Sequence, residues 1–397
     1  MRPFALVVSA LILLPMVTVR AGEPDAAKLA AIRERMQKFV DDGEIAGAVT
    51  LVGRRGGVIS HEAVGVMNLE SKQPMPKDAL FRIASMTKPI TSVGIMMLVD
   101  EGKLAIDDPV EKHLPEFKDQ MLIENRDPLV LRKPRRPITL KDLLTHTSGL
   151  PAMPPASLNL YVKRDHTLAE VTMAMSQRPL EFEPGSKWSY CNAGIDTLGR
   201  IIEVLSGMSY EDFLKRRLFE PLGMKDTTFY PTPEQLERLA ITYNKKNGKL
   251  VAEPNSLIGP PKDAKYPIPA GGLYSTAADL ATFYQMMLNK GVRGMTRFLS
   301  EKSVQTMTSN QIGDLSGAFT PGMCFGLGWA VVREPKGVTA MLSPGGYGHG
   351  GAFGTQAWLD PTQDLFVVLL IQRTGLPNSD ASAMRQALQE AAVAAIK

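Results

Sequence analysis

Ser85 and Lys88 stand three residues apart in Ser85-Met86-Thr87-Lys88, at the head of an apolar run. On a helix that spacing puts both side chains on one face, so the hydroxyl and the amine are neighbours. A serine oxygen attacks a carbonyl only when a base takes its proton, and a lysine serves as that base only if its pKa falls. Burial beside Met86–Leu98, which is apolar nearly all round, pushes in that direction because desolvation disfavours the ammonium form. The start of a helix also presents the Ser85 N–H to a developing oxyanion. Pro89 lacks an N–H and suits the first turn better than the interior. A Ser-x-x-Lys spacing alone is common by chance, so the rest of the chain has to supply context. Two further groups follow in order: Tyr190-Cys191-Asn192, after the turn Glu183-Pro184-Gly185, and His349-Gly350-Gly351, just before a C-terminal strand.

The elements that must position these groups are legible from periodicity. Asp25 to Gly43 has a helical period, with Leu29, Ile32, Met36 and Phe39–Val40 on one face and Gly43 closing it. Ala46–Val52 and Val58–Val64 are β-rich runs joined by Arg54-Arg55-Gly56-Gly57, a hairpin signature. From about 105 to 270 the chain is rich in Pro, loops and short helices, such as Leu140–Thr145, Gly194–Leu205 and Tyr210–Leu218. Leu280–Leu288 is helical again. Strand signals then return at Gly328–Arg333, Ala352–Leu359 and Leu365–Gln372, the last two joined by the turn Asp360-Pro361-Thr362-Gln363. Ala381 to Ile396 closes as an amphipathic helix. Strands at both ends with helices between imply an α+β fold: one antiparallel sheet built from both chain ends, flanked by the terminal helices, with a mostly helical insertion. The expected division is a leader at 1–21, a sheet domain from 22–104 and 271–397, and a helical domain at 105–270. The active site would lie at their interface.

Composition narrows the class. The 397 residues are 44% hydrophobic and 22% charged, enough apolar material for a large core. The formal charge of +4 falls to about +2 once Arg2 and Arg20 of the expected leader are removed, which is no nucleic-acid footprint. The basic run Arg132-Lys133-Pro134-Arg135-Arg136 reads as solvated loop. Met1-Arg2, the apolar stretch Phe4–Val19 and Val19-Arg20-Ala21 read as a signal peptide cut after Ala21, with a retained anchor as the alternative. The mature protein is thus expected to be exported, periplasmic or secreted, with no stable membrane span. Cys191 and Cys324, far apart in sequence, are expected as buried free thiols rather than a disulfide framework.

Taken together, the three groups resemble the motifs of the serine β-lactamase and penicillin-binding-protein superfamily: Ser-x-x-Lys, Tyr-x-Asn and a Lys/His-x-Gly triplet on a sheet edge strand. The resemblance is nearest to the class C β-lactamases and their esterase and D-peptidase relatives, and the fold it implies is β-lactamase/transpeptidase-like. Leu143-Leu144-Thr145-His146-Thr147-Ser148-Gly149-Leu150, Pro221-Leu222-Gly223-Met224 and Gly271-Gly272-Leu273-Tyr274-Ser275 match that family's wording as well. It implies that Ser85 is acylated, that Lys88 takes part in proton transfer, and that Tyr190 is the second candidate base. It further implies that Asn192 hydrogen-bonds Lys88 or the substrate's acyl side chain. The N–H groups of Ser85 and Ala352 would form the oxyanion hole, with His349, Gly350 and Gly351 lining the substrate. Which of Lys88 and Tyr190 takes the proton stays open at this point.

One departure bears on substrate. Where the family's β-lactamases mostly carry Lys, His349 stands, ordinarily neutral near pH 7. That shifts the expectation from β-lactams toward small-molecule esters or peptides. The readings kept open are an ester or small-amide hydrolase, a D-Ala-D-Ala-type carboxypeptidase or D-aminopeptidase, a weak β-lactamase, and a non-catalytic binder of peptidoglycan fragments. No cofactor or metal is called for, and the oligomeric state is open. His146 is expected to brace a loop, and Cys191 to be packed core. Gly346-Tyr347-Gly348-His349-Gly350-Gly351 matches the dinucleotide fingerprint only formally, since strand and not helix follows. The absence of Gly-x-Ser-x-Gly removes the α/β-hydrolase reading.

Overall fold

A computed structural model describes residues 23–154, 159–253, 258–259 and 262–397. The expected leader lies outside the described residues. Helix α1 (Ala26–Asp41) starts where the Asp25 carboxylate caps the N–H groups of Ala27 and Lys28. It leads into the expected hairpin, β1 (Gly47–Arg54) and β2 (Gly57–Asn68), followed by the short β3 (Gln73–Pro74). Helix α2 (Thr87–Asp100) buries every residue from Thr87 to Leu98. Farther on come α3 (Asn192–Ser206) and α4 (Ala277–Leu288), then five strands: β4 (Met323–Phe325), β5 (Ala330–Val332), β6 (Tyr347–Gly350), β7 (Gln356–Asp360) and β8 (Leu365–Leu370). Helix α5 (Ala383–Ile396) closes the chain.

The eight strands form one sheet in the order β4-β5-β6-β7-β8-β1-β2-β3, each neighbouring pair antiparallel. The join between the two chain ends is the β1–β8 pair, with Val49 opposite Leu370 and Val52 opposite Val367. Helices α1 and α5 pack on each other and on β2 and β8 respectively, while α4 packs on β1 and β8. All six residues of β8 are buried, which is why its sequence shows no polar alternation.

Helix α2 stands between the sheet and the helical part. A Cβ on Gly94 would lie 3.0 Å from Ile202 of α3, and one on Gly328, just before β5, would lie 1.9 Å from Ser92 Oγ. Close backbone approach on both sides therefore fixes where α2 sits, and with it the serine at its head.

Four expectations need correcting. The strand read at Ala352–Leu359 begins only at Gln356, because Gly351–Gly354 is a turn closed by Gly354 N–H donating to Gly351 O at 2.9 Å. The His349 triplet, read as preceding a strand, contributes His349 and Gly350 to β6 itself. Nor is β6 a free edge, since it pairs with β7 on one side and, through Tyr347 and Gly348 only, with β5 on the other. Beyond Gly348 the β5 side is open, so His349 and Gly350 face the site from the end of a half-paired strand. The central region is also less helical than expected. It carries two hairpins, Leu122–Arg126 with Leu129–Arg132 and Tyr243–Lys246 with Lys249–Ala252.

The basic run is neutralised locally, with Arg132 on Glu183 at 2.6 Å, Lys133 on Asp119 at 2.7 Å and Arg136 on Asp142 at 2.5 Å. Cys191 and Cys324 are free and buried. Among the described residues no helix is long and apolar enough to cross a membrane.

Candidate active site

The chain reaches Ser85 through a constrained turn. Ala84 has φ +45°, a left-handed conformation that a residue with a Cβ adopts only when its surroundings impose it. Those surroundings are visible. Ile83 N–H donates to Leu273 O at 3.0 Å, Thr355 Oγ1 donates to Ile83 O at 3.2 Å, and Thr87 Oγ1 donates to Ala84 O at 2.7 Å. A one-turn 3-10 helix, Ala84–Met86, then carries Ser85 to the start of α2. Pro89 falls in the first turn of α2, where its missing N–H has no intrahelical partner to lose.

Lys88 Nζ donates to Ser85 Oγ at 3.1 Å and to Ala270 O at 2.6 Å. The side chain is wholly buried. Desolvation lowers its pKa from the ordinary 10.5 to about 7, against the opposing pull of Asp196 and of Cys191. The ammonium also lies 4.7 Å from the centre of the Tyr190 ring. Tyr190 is half-buried, and its phenol lines a groove with Ser85. Desolvation pushes the phenol well above its ordinary value, with the Ser85 side chain opposing the rise, so Tyr190 is protonated at neutral pH.

Cys191 caps α3 by accepting from Gly194 N–H at 3.3 Å, and burial pushes its thiol up to about 12. Asn192 follows. Its Nδ2 lies 3.0 Å from Met153 Sδ, and its Oδ1 has no hydrogen-bond partner among the described residues. The separation of roles within this triplet comes from the loop-to-helix junction at Cys191, where Tyr190 and Asn192 line the cavities at the serine and Cys191 is buried in the core.

His349 is 2% exposed, and desolvation, reinforced by the nearby Lys88 charge, lowers its pKa to about 3. Its Nδ1 lies 2.7 Å from Gly350 O, which only accepts, so Nδ1 carries the proton and Nε2 is a bare acceptor without a partner among the described residues. Gly350 and Gly351 are glycines for steric reasons. A Cβ on Gly350 would sit 2.2 Å from Asp380 Oδ1, and one on Gly351 would sit 2.4 Å from Ile83 O. The second contact seats the end of β6 directly against the turn that carries Ser85, and Ala352 lines the site with it.

Sequence reasoning missed the support behind Lys88. Asp196, one helical turn after Asn192 on α3, is fully buried and accepts from Tyr161 Oη at 2.7 Å, Tyr266 Oη at 2.6 Å and Ala270 N–H at 2.8 Å. Burial raises its pKa despite these donors and the Lys88 charge. The Ala270 backbone thus links the two side chains, its N–H on Asp196 and its carbonyl on Lys88. The i, i+4 spacing of Asn192 and Asp196 was the available signal. His146, expected as a brace, accepts Cys191 N–H at 3.2 Å on Nδ1, and its ring lies 4.6 Å from that of Tyr190.

Two cavities meet at Ser85 and Ala352. One, about 460 Å³, is a groove lined by Tyr190, Phe319, His349 and the segment Gly375–Asp380. The other, about 160 Å³, is lined mainly by Met153, Tyr161, Asn192, Ile258, Ile268 and Phe353. A larger hollow beside Glu211 and Tyr230 contains none of these groups.

The Beta-lactamase family model matches residues 32–392. Protein Rv1367c of Mycobacterium tuberculosis is 36% identical over 89% of this chain and 91% of its own length. Esterase EstB of Burkholderia gladioli is 30% identical over 87% of this chain and 91% of its own. Among solved structures, EstCE1, described as a hydrolase with promiscuous acyltransferase activity, superposes with a TM-score of 0.79 at 26% identity, covering 92% of this chain and 99% of that one. The chain belongs to the β-lactamase family of serine hydrolases.

Proposed function

We propose that the protein is an exported hydrolase of esters of short acyl groups, working through an acyl-enzyme on Ser85. The observation that carries this reading is the contact between Ser85 Oγ and a buried lysine whose pKa has fallen to about 7. At that value about half of the Lys88 side chains are neutral at pH 7, and a neutral amine takes the hydroxyl proton as the oxygen attacks. Tyr190, held protonated, acts as a relay rather than the primary base. The tetrahedral oxyanion is held by the N–H groups of Ser85 and Ala352, and such a donor contributes roughly a hundred- to a thousandfold in rate. The alcohol departs with the proton returned from Lys88 through Tyr190. Water then adds to the acyl-enzyme, giving its proton back along the same path, and the carboxylic acid leaves.

Ester substrates fit better than substrates ending in a carboxylate, because His349 is neutral and offers that group no charge. The small apolar cavity suits a short acyl chain, with Asn192 at its rim. The names of EstB and EstCE1 point the same way. Export rests on the sequence of the leader, and the N-terminus of protein recovered from the periplasm is expected at Gly22. The test is hydrolysis of p-nitrophenyl butyrate by this protein and by Ser85→Ala. Turnover that drops about a thousandfold or more in the variant supports the reading. Equal turnover in the two would remove Ser85 as nucleophile, and equal inactivity would turn attention to D-peptides.

A further inference from the structure

The groove on the Tyr190 side of Ser85 has one charged side chain in its lining, Asp380, and no lysine or arginine among the described residues. Asp380 is half-buried, and burial raises its pKa. Its Oδ1 lies 3.3 Å from Gln356 Nε2 and packs against the Gly350 backbone of β6. The cation nearest to hand, Arg385, opposes the rise in the Asp380 pKa through its charge but makes no direct ion pair with the carboxylate. Arg385 donates through Nη1 to the Asp380 backbone carbonyl and through Nε to Gln389 Oε1 at 2.7 Å, and its guanidinium lies 3.8 Å from the centre of the Trp358 ring. No ion pair forms between the two side chains within 4 Å. The same groove is lined by His349, whose Nε2 acceptor has no partner among the described residues. Two acceptors, the Asp380 carboxylate and His349 Nε2, thus line the groove, and among the described residues no cation lines it with them.

Which half of the substrate meets this groove follows from proton transfer. The leaving oxygen must receive its proton from the Tyr190–Lys88 pair, and Tyr190 lines this groove and not the smaller cavity. We propose that the groove holds the alcohol portion of the ester, and that Asp380 selects alcohols bearing an ammonium group and rejects those bearing a carboxylate. This inference rests on the hydrolase reading above. It assigns to Asp380 the discrimination that a cation in the groove would reverse, since a partly desolvated carboxylate attracts an ammonium and repels an anion at the same position.

Three esters sharing one acyl group separate the possibilities: butyrylcholine, its uncharged isostere 3,3-dimethylbutyl butyrate, and 3-(butyryloxy)propanoate. Steady-state kinetics on this protein, Asp380→Asn and Asp380→Lys give kcat/KM ratios internal to each variant, so a general loss of activity does not affect them. The expected cation-to-neutral ratio is about tenfold or more in the unaltered protein. It should be near one in Asp380→Asn and below one in Asp380→Lys, with the anionic ester changing in the opposite sense. A ratio near one in the unaltered protein, or one unchanged by Asp380→Asn, overturns the inference. Binding of the same esters to Ser85→Ala, with and without Asp380→Asn, is read by calorimetry. If no ester is turned over, the hydrolase reading fails, yet tighter binding of the choline ester that Asp380→Asn abolishes still supports the charge preference. Equal binding of all three overturns it.

Discussion

Lys88 is the residue on which the proposed chemistry turns, and its environment sets a pH signature. Because the neutral amine is the active form, kcat/KM for p-nitrophenyl butyrate is expected to rise with pH through a midpoint near 7. His349, lowered to about 3, adds no ionisation above pH 5. The Asp196 carboxylate holds the Lys88 pKa up, so Asp196→Asn is expected to move the rising limb to lower pH. A limb that stays in place would show that Asp196 braces Ala270 without acting on the charge of Lys88. The stability consequence has a definite sign. Lys88 has a folded pKa below its unfolded value of 10.5, so between about 7 and 10.5 the unfolded chain binds the extra proton and stability rises with pH. Below about 7 the burial penalty is felt in full. Ser85 and Lys88 were legible because three-residue spacing on a helix fixes their proximity. Asp196 and Ala270 were not, since their meeting with Lys88 depends on how α3 and a distant loop pack against α2.

At the scale of elements, the site is set by the contact between the end of β6 and the turn before Ser85. Gly351 permits that contact, and a methyl group there would press on Ile83 O and on Thr355 Oγ1, which is 2.2 Å from the Cβ position. Gly351→Ala is expected to displace Ala352 from the oxyanion position and to cost about a hundredfold or more in kcat. A smaller loss of thermal stability should accompany it. A variant with full kcat would mean that the turn relaxes without moving Ala352. The strand itself was hard to read from sequence. Tyr347-Gly348-His349-Gly350 has low β propensity, and its pairing comes from β7 rather than from its own residues. The α2 helix was plain by contrast, because a long apolar run needs no partner to be recognised. The hairpins of the central region were missed for a related reason. Exposed strands such as Leu129–Arg132 show no buried face for a period of two to mark.

For the molecule as a whole, strand signals at both ends of the chain gave the sheet's origin, while the strand order followed only from the observed pairings. The meeting of the ends goes further than the sheet. Asp25 N–H donates to Ala395 O at 2.8 Å, and Lys28 Nζ reaches Ala394 O at 3.1 Å. The first and last helices therefore finish side by side. It follows that the architecture does not depend on where the backbone is cut. A few flexible residues joining Pro24 to Lys397, with new ends opened in the exposed turn at Asn247-Gly248, give a circular permutant with every strand neighbour retained. Such a protein is expected to match the parent's rate on p-nitrophenyl butyrate within a few-fold. Its β1–β8 pair, formed from opposite ends of the natural chain, becomes a contact between near neighbours in sequence. Lower contact order favours quicker folding, so the permutant should refold faster than the parent at equal stability.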